Sequence, residues 1–376
     1  MTKSRVQNLA LLAAAGLVCL IGAELFFRLW PGFLNEEAAL RLLWREVTED
    51  ARNQAWTVPD PHYGFLYRPN RTGQIHRQEL EFSFTTDEKG FRNPSPWPEQ
   101  ADIVVVGDSM AFGYGVDDDQ AWVRLVDKAL PDTSVINLGL IGSGPEQYLR
   151  VLEGFGLDLE PELVLFMLFP GNDLSDAERF REWLEAGTDV PYKEWRLAGG
   201  RPDRSDRLKR LLEGSYLVAF LRGVRQALTS PMSGSTMELE EGSLRLTPAL
   251  YASSMEKAQP GHPVFELVLA TIEKARAVSK RHGSQFLVLL MPAKEEVYLP
   301  LAGEPAPTLV DAFKTPLQAR GIPFIDLTPC FRAQAANSPP LFFEVDGHPN
   351  AEGYRLIARV VTEHLRKRGG MYGLWE

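Results

Sequence analysis

Cysteine is nearly absent from this chain of 376 residues, which contains only two. Cys19 lies inside an apolar N-terminal run and Cys330 lies near the C-terminal end, so no disulfide framework within the folded part is possible. Internal repeats and low-complexity tracts are also lacking. The apolar fraction of 44% and the charged fraction of 24% are those of an ordinary globular protein with a sizeable core.

Basic residues are fewer than acidic residues in this chain. The chain has 40 Lys and Arg against 50 Asp and Glu, a formal net charge of −10. Binding to nucleic acid requires a cationic surface that contacts phosphates, and no basic stripe supplies one. Nucleic acid is therefore excluded as the main partner, and anionic polymers are disfavoured as substrates unless their charge is locally masked.

The N-terminus is the clearest targeting feature. Lys3 and Arg5 precede the apolar run Leu9–Ala23, a pattern typical of an export signal. The run is short for a membrane-spanning helix, which needs about 20 residues. It becomes long enough if Glu24 and Arg28, one helical turn apart, pair on one face. We expect an uncleaved anchor rather than a cleaved signal or a buried core helix.

The predicted organisation has three parts. Residues 1–30 form the anchor, residues 31–100 form a juxtamembrane helix (Glu36–Asp50) with an extended segment, and residues 101–376 form the main domain. Because positive charge keeps the N-terminus cytoplasmic, the main domain is expected outside the cytoplasm, in the periplasm if the source is Gram-negative.

Apolar strands alternate with amphipathic helices from residue 103 onward. This alternation predicts a parallel sheet with helices on both faces, a three-layer α/β/α (flavodoxin-like) domain of about five strands. The predicted strands are Ile103–Gly107, Val135–Leu138, Leu163–Phe169, Phe286–Met291 and Phe324–Leu327. The predicted helices are Asp119–Leu130 with Asp119 as N-cap, Glu146–Phe155, Pro263–His282, Thr308–Arg320 and Ala351–Lys367.

Residues 175–260 interrupt this alternation. The interval is too long for an ordinary loop, so we interpret it as an inserted cap region. It contains a basic helical pattern over Arg204–Leu228 and a short alternating pattern over Met237–Leu246. The basic helix is interpreted as a solvated face, with shielding of an acyl or sugar site as the alternative.

The first predicted strand ends in a serine. Ile103–Val106 is apolar without alternation, as in a strand buried on both faces, and it runs into Gly107-Asp108-Ser109. Because ligands bind at the carboxyl ends of parallel strands, the Ser109 hydroxyl is well placed to attack a bound substrate. The alternative is a simple turn, which these residue types commonly form.

Three further motifs follow in order: Asn137–Gly142, Gly171-Asn172-Asp173 and Asp346-Gly347-His348-Pro349-Asn350. Together with the serine motif they resemble the four sequence blocks of the SGNH/GDSL hydrolase family, from Ile103 to the C-terminal helix. The resemblance implies the α/β/α fold, a serine ester hydrolase activity, and no cofactor or metal. Gly90–Asn93 looks like an element of membrane-anchored members, and we interpret it as packing support.

The catalytic set is expected to be Ser109, His348 and Asp346. A serine hydroxyl needs a base, and the base needs an orienting acceptor. Of six histidines, His348 alone lies in a polar loop that opens a helix. The family pattern places the acid three residues before the histidine, where this chain has Val345. Asp346 resembles a D-x-H variant of acyl-transferring relatives, and Glu344 stays open as the acid.

The resemblance also implies an oxyanion hole. Its donors would be the backbone N–H of Ser109, the backbone N–H of Gly142 and the side-chain amide of Asn172. Gly142 matches the family spacing better than Gly139. The alternatives are that the glycines only form turns and that Asn172 caps the next helix.

Two other classes remain open: a hard-metal site formed by Asp108, Asp173, Asp346 and His348, and a non-catalytic anchored binding protein. The first has no close ligand spacing, and the second does not need the serine, asparagine and histidine motifs together.

The acyl group on the serine can pass either to water or to a sugar hydroxyl, and the serine chemistry before that step is the same. The expected function is a membrane-anchored ester hydrolase outside the cytoplasm, acting on acyl (O-acetyl) esters of carbohydrates or small molecules. The alternative is O-acyl transfer to an envelope polysaccharide, because the D-x-H spacing and the segment Pro292–Tyr298 resemble polysaccharide O-acetyltransferases. That segment is otherwise interpreted as a charged surface loop. The substrate is the only partner beside the membrane that the sequence indicates, and protein partners are left open.

Overall fold

The computed structural model describes residues 3–34, 56–76, 79–197, 215–229, 235–239 and 241–367. The chain divides into two compact units. One unit comprises residues 1–54 and 201–234, and the other comprises residues 55–200 and 235–376. The predicted juxtamembrane helix Glu36–Asp50 and the start of the basic helical pattern lie outside the described residues.

The larger unit is built on a parallel sheet of five strands, as predicted. Two of the central strands are buried along their whole length, which explains their continuous apolar sequences. Each observed strand lies within a residue or two of its predicted bounds. These five strands are β5 (Ile103–Val106), β6 (Val135–Asn137), β7 (Leu163–Leu168), β10 (Gln285–Leu290) and β11 (Phe324–Asp326).

Strand order determines where a ligand can bind. The order across the sheet is β11-β10-β7-β5-β6, so the chain leaves β5 in one direction and then returns past it to β7. Because crossovers between parallel strands are nearly always right-handed, this reversal puts the connecting helices on opposite faces of the sheet. The order reverses at β5, and the crevice at such a reversal is the usual ligand site.

The helices form two packed groups in the larger unit. The C-terminal helix packs against the helix that connects β5 to β6, and the helix before β10 packs against the two that flank β7. Helices of the larger unit are α2 (Ser109–Phe112), α3 (Trp122–Ala129), α4 (Pro145–Val151), α5 (Asp173–Ala186), α6 (Tyr192–Leu197), α8 (Ala252–Lys257), α9 (Pro263–Arg281), α10 (Lys294–Tyr298), α11 (Leu309–Ala319), α12 (Thr328–Ala335) and α13 (Ala351–Lys367).

The predicted N-cap Asp119 is wrong. Helix α3 begins at Trp122 after Ala121, and no side chain caps it. The acidic residues ahead of it serve another purpose: Asp117 accepts the backbone N–H of Ser83, and Asp118 accepts that of Thr85. The acidic stretch therefore joins the helix region to a neighbouring strand, and sequence alone did not distinguish this use from capping.

The described residues also contain three antiparallel hairpins. The first two lie in the extended segment, and the third confirms the alternating pattern predicted over Met237–Leu246. Their strands are β1 (Thr57–Asp60) with β2 (Gly64–Tyr67), β3 (Thr72–His76) with β4 (Glu81–Thr85), and β8 (Ser235–Leu239) with β9 (Gly242–Leu246).

Arg92, in the motif assigned to packing support, is buried against the loop that follows Ser109. Its guanidinium donates to the carbonyl oxygens of Gly113 and Val116, each at 2.7 Å, and pairs with Asp118 at 2.7 Å. A buried carbonyl needs a donor, and a guanidinium has five N–H groups to offer. Arg92 thus fixes the backbone just after helix α2 without contacting Ser109.

The smaller unit contains helix α1 (Lys3–Leu29) and helix α7 (Tyr216–Thr229). The predicted pair of Glu24 and Arg28 forms, with 2.8 Å between Nε and the carboxylate. The same carboxylate accepts the Ser215 hydroxyl and the N–H of Leu217, so it caps the start of α7. Within the described residues, no helix is both long and apolar enough to cross a membrane. The predicted membrane helix is therefore not confirmed.

Candidate active site

Ser109 lies directly beyond the carboxyl end of β5, at the first position of α2. Asp108 precedes it as N-cap and accepts the N–H of Met110 at 2.9 Å. This cap begins the helix at the serine. Ser109, at the carboxyl edge of the sheet, is 5% exposed.

Ser109, His348 and Asp346 form a continuous hydrogen-bonded chain. The Nε2 atom of His348 lies 2.7 Å from the Ser109 Oγ, and its Nδ1 lies 2.5 Å from an oxygen of Asp346. The serine and histidine are 239 positions apart in sequence. Asp346 also accepts the backbone N–H of His348 at 2.8 Å, which holds carboxylate and imidazole in one turn. These distances are those required of a nucleophile, a base and an orienting acid.

Glu344, the alternative acid, points elsewhere. Its carboxylate accepts the hydroxyl of Ser243 on β9 at 2.9 Å. Only Asp346 of the two acids contacts the imidazole, despite its unusual position two residues before the histidine. The glycine between them, Gly347, provides the short turn that this spacing needs.

The loop that carries Asp346 is held by a buried lysine and a half-buried glutamate. The Nζ of Lys294 donates to the carbonyl oxygens of Glu344, Val345 and Asp346 at 3.0, 2.8 and 3.3 Å. Glu79 accepts the backbone N–H of Asp346 at 2.5 Å from another element. Lys294 therefore binds the carbonyl groups of this loop and Glu79 binds its N–H groups. These contacts hold the loop in the conformation in which the Asp346 carboxylate reaches the imidazole.

Lys294 lies within the segment Pro292–Tyr298, and the alternative interpretation of this segment as a charged surface loop is wrong. Residues 294–298 are all buried, and they form helix α10. One turn after Lys294, the Tyr298 hydroxyl accepts the N–H of Leu341 at 2.9 Å. The lysine and tyrosine of this motif thus hold two points of the chain leading to His348.

The electrostatic interactions at the site favour an ion pair between the Asp346 carboxylate and the His348 imidazolium. Burial raises the pKa of the Asp346 carboxyl, but the neighbouring His348 and its hydrogen bonds outweigh burial and lower that pKa. Burial lowers the pKa of the His348 imidazole, but the Asp346 charge and hydrogen bond outweigh it and raise that pKa. The imidazolium formed when His348 takes a proton is therefore stabilised. The ring of Tyr114 lies against His348, with 4.7 Å between the ring centroids.

Asn172 lies at the N-cap position of α5, but its side chain does not cap the helix. Its Nδ2 donates instead to the carboxylate of Asp108 at 2.9 Å. The Ser109 hydroxyl lies 3.3 Å from the same carboxylate oxygen. The Asn172 amide is thus held beside the Ser109 hydroxyl, with one N–H on Asp108 and a second N–H that donates to no described residue.

The two glycines of the second motif differ in the hydrogen bonding of their backbone N–H groups. The N–H of Gly139 donates to the Asn137 side chain at 2.8 Å, so it is already used. Gly142 has a positive φ of 76°, and its N–H donates to no described residue. Of the two, only Gly142 keeps a backbone donor for a bound group, while Gly139 packs tightly against α2.

The acidic residues considered for a metal site do not converge. Asp173 accepts the hydroxyl of Tyr148 and, at 2.7 Å, the N–H of Phe169. Burial raises the pKa of Asp173 well above its usual range. Asp346 is occupied by His348. In the part of the chain that the structure describes, no three His, Cys, Asp or Glu side chains are grouped to hold a metal ion.

Sequence reasoning missed several residues that shape this site. Asp108 was considered only as a metal ligand, although it joins Ser109 and Asn172. Glu79 carried no signal, because it lies in a polar stretch 266 positions or more from the loop it holds. The one sequence signal for Lys294 is its place in Pro292–Tyr298, the segment that resembles polysaccharide O-acetyltransferases.

Fold and site together define an α/β protein with a Ser-His-Asp constellation at the carboxyl edge of its sheet. The model of the GDSL-like lipase/acylhydrolase family matches residues 105–356. The chain belongs to this family, whose members are acylhydrolases. A comparison with curated proteins finds no match.

A search of solved structures finds several that are similar to the chain. A lipolytic protein of the G-D-S-L family from Desulfitobacterium hafniense is 13% identical, with a TM-score of 0.37 over 69% of this chain and 97% of that one. An acetylxylan esterase mutant from Geobacillus stearothermophilus is 12% identical, with a TM-score of 0.36 over 74% and 99%. The esterase EstA from a Pseudoalteromonas species is 13% identical, with a TM-score of 0.36 over 70% and 96%.

Proposed function

We propose that the protein is a serine ester hydrolase that removes acyl groups, with O-acetyl as the leading case, from carbohydrates or small molecules. The observation that carries this proposal is the chain of contacts from Ser109 through His348 to Asp346, at 2.7 and 2.5 Å. Nucleophile, base and orienting acid are within reach of one another before any substrate is bound.

In the first half of the reaction, the Ser109 Oγ attacks the carbonyl carbon of the ester and its proton passes to the Nε2 of His348. The Asp346 carboxylate stabilises the imidazolium through Nδ1. The oxyanion accepts hydrogen bonds from the N–H groups of Ser109 and Gly142 and from the Asn172 amide. His348 then gives its proton to the alcohol oxygen, and the acyl group stays on Ser109.

In the second half, His348 takes a proton from water, the resulting hydroxide attacks the acyl carbon, and Ser109 leaves with the proton that His348 returns. The products are an acid and the free enzyme. A sugar hydroxyl that replaced water would receive the acyl group instead. The D-x-H spacing and the buried Pro292–Tyr298 segment keep this O-acyl transfer as the second candidate.

A partition experiment distinguishes the two candidates. The full chain is incubated with an activated acetyl ester, with and without a neutral glycan acceptor, and both free acetate and acetylated glycan are measured. A hydrolase releases acetate at a rate that the glycan does not change. A transferase forms acetylated glycan at the expense of acetate, and that result would replace the hydrolase proposal.

The pH profile of hydrolysis should fall on the acid side with a pKa above the ordinary 6.5 of histidine, because protonated His348 cannot accept the serine proton. Activity is expected to be full above that pKa and to be lost as the pH falls through it. The measurement is kcat/KM against pH, with the imidazole titration followed by NMR in the Ser109→Ala variant. A profile that is flat across the NMR titration would contradict the role of His348 as base.

Replacing Asn172 by alanine is expected to lower kcat by about a hundredfold to a thousandfold while KM changes little, as for other oxyanion donors. The exposed Asn337 offers a matched control, and Asn337→Ala should leave both constants unchanged. If kcat survived in Asn172→Ala, the side chain would serve only to hold Asp108.

The location also remains a proposal. We propose that the enzyme acts outside the cytoplasm, supported only by the basic and apolar sequence of the first 30 residues. Fractionation of cells that express the full chain, with a protease-accessibility assay on intact cells, tests it. Recovery of protected protein in the cytosol would contradict it.

A further inference from the structure

Two cationic side chains lie on one face of the short helix α6, beside the candidate active site. Lys193 and Arg196 are three residues apart, so their side chains project from the same side of the helix. This helix packs against β2, which carries Phe65 and Tyr67. We refer to Lys193 and Arg196 as the cation pair.

Arg196 connects the pair to the loop of the proposed oxyanion hole. Its guanidinium donates to the carbonyl oxygen of Gly142, the residue whose N–H is free for an oxyanion. It also pairs with the buried Asp176 at 2.7 Å. On the other side, the Tyr67 hydroxyl accepts the N–H of Ile141 at 3.0 Å. Arg196 and Tyr67 therefore contact the adjacent residues Gly142 and Ile141 of one loop.

Lys193 has no acidic partner within the described part of the chain. Its Nζ lies 4.0 Å from the ring centroid of Phe65 and 6.0 Å from that of Tyr67. Burial, together with the positive charge of Arg196, lowers the pKa of Lys193 to about 7. A half-buried amine with another cation beside it is costly for the fold, since aromatic faces replace only part of the lost hydration. An anion placed there would supply the missing partner.

From this geometry we propose that the cation pair is a binding subsite for a negatively charged group, of carboxylate type, on the ester substrate. Lys193 supplies an amine that has no acidic partner among the described residues, and Arg196 supplies further N–H donors beside Gly142. The inference rests on the proposed ester hydrolase function and deepens it, because it names an acidic ester as the substrate class. It also revises the expectation from net charge: a chain of charge −10 presents a local cationic site where the substrate would bind.

Matched pairs of esters test the subsite on either side of the ester bond. The acyl pair is mono-p-nitrophenyl glutarate with p-nitrophenyl valerate, and the alcohol pair is O-acetyl glucuronate with O-acetyl glucose. In at least one pair, the native enzyme should prefer the charged member. Lys193→Met should lower kcat/KM for that member by about tenfold to a hundredfold, the range of a charge-assisted hydrogen bond, and leave the neutral member unchanged.

Two variants control the result. Lys193→Arg should keep the preference, because it keeps the charge. Lys280→Met removes an exposed lysine at the end of α9 and should change nothing. Undiminished hydrolysis of the neutral esters by Lys193→Met shows that the variant is folded. The proposal is overturned if Lys193→Met affects both members of each pair equally, or neither.

The subsite and the ester hydrolase function can fail separately. If the native enzyme hydrolyses all four esters without a Lys193-dependent preference, the function stands and the subsite is wrong. If it hydrolyses none of them, the function is wrong, and binding of glucuronate is then measured by calorimetry against glucose. Binding of glucuronate that is lost in Lys193→Met supports the subsite even then, and equal binding by both proteins overturns it.

Discussion

Ser109→Ala is expected to reduce kcat for an activated ester by about four to six orders of magnitude, as when a triad serine is removed. The reason is that the Ser109 Oγ is the atom within 2.7 Å of the His348 base, and an alanine methyl group cannot form an acyl-enzyme. The fold should be unaffected, because the hydroxyl is small and its other contact, with Asp108, is long at 3.3 Å. Stopped-flow and long-time assays of p-nitrophenyl acetate hydrolysis measure the loss.

Covalent labelling provides the control for this prediction. A fluorophosphonate should modify the native protein on a peptide that contains Ser109 and should not modify Ser109→Ala. Ser253, an exposed serine on α8, gives a matched variant: Ser253→Ala should keep both activity and labelling. Near-normal turnover by Ser109→Ala, or a label on another residue, would remove the serine mechanism.

The sheet could be predicted because its strands carry an unambiguous signal. Strands such as β5 and β7 are buried on both faces, so their sequences are continuously apolar and their ends are marked by polar, glycine-containing turns. The residues at which helices begin were harder to predict from the sequence. Asp119 looked like an N-cap, yet the carboxylates around it bind strand β4, a contact between residues more than 30 positions apart. The local sequence does not show whether a carboxylate will cap the adjacent helix or bind a strand that is distant in sequence.

The candidate site was predictable to the extent that its members sit in motifs. Ser109, Asn172 and His348 each follow or precede a regular element, so their convergence follows from the parallel sheet. The residues that hold the loop of the candidate site in place were not predictable from the sequence. Lys294 and Glu79 act on the backbone of the Asp346 loop, and backbone groups leave no trace in sequence. The cation pair was not predictable for a similar reason. The sequence does not show whether a lysine has an acidic neighbour in the folded protein.

These supporting contacts explain how an acid two residues before the histidine can work. In a D-x-H turn the carboxylate and imidazole belong to nearly adjacent residues, so the turn must be held in one conformation for them to meet. Lys294 binds three successive carbonyls of the loop, and Glu79 binds its amides from the other side. The loop geometry is thus fixed by two oppositely charged groups, the buried Lys294 and the half-buried Glu79.

Asp346→Asn is expected to lower kcat by about a thousandfold to ten-thousandfold, the range seen when the acid of a triad loses its charge. The carboxylate stabilises the positive charge that His348 acquires in the transition state, and it selects the imidazole tautomer with a free Nε2 for the serine proton. An amide is neutral and can also donate to Nδ1, which would leave Nε2 protonated and unable to act as base. Steady-state kinetics of the full chain measure the effect.

Glu344→Gln is the matched control for Asp346→Asn, because it makes the same chemical change two residues earlier in the same loop. The Glu344 carboxylate contacts Ser243 rather than the imidazole, so this variant should keep native kinetics. The imidazole pKa, followed by NMR in the Ser109→Ala background, should fall in Asp346→Asn and stay raised in Glu344→Gln, since the Asp346 charge is what raises it. If the two variants exchanged these behaviours, Glu344 would be the acid. If neither variant lost activity, the enzyme would work with a Ser-His dyad, and the hydrogen bond of 2.5 Å between Asp346 and His348 would serve only to hold the loop.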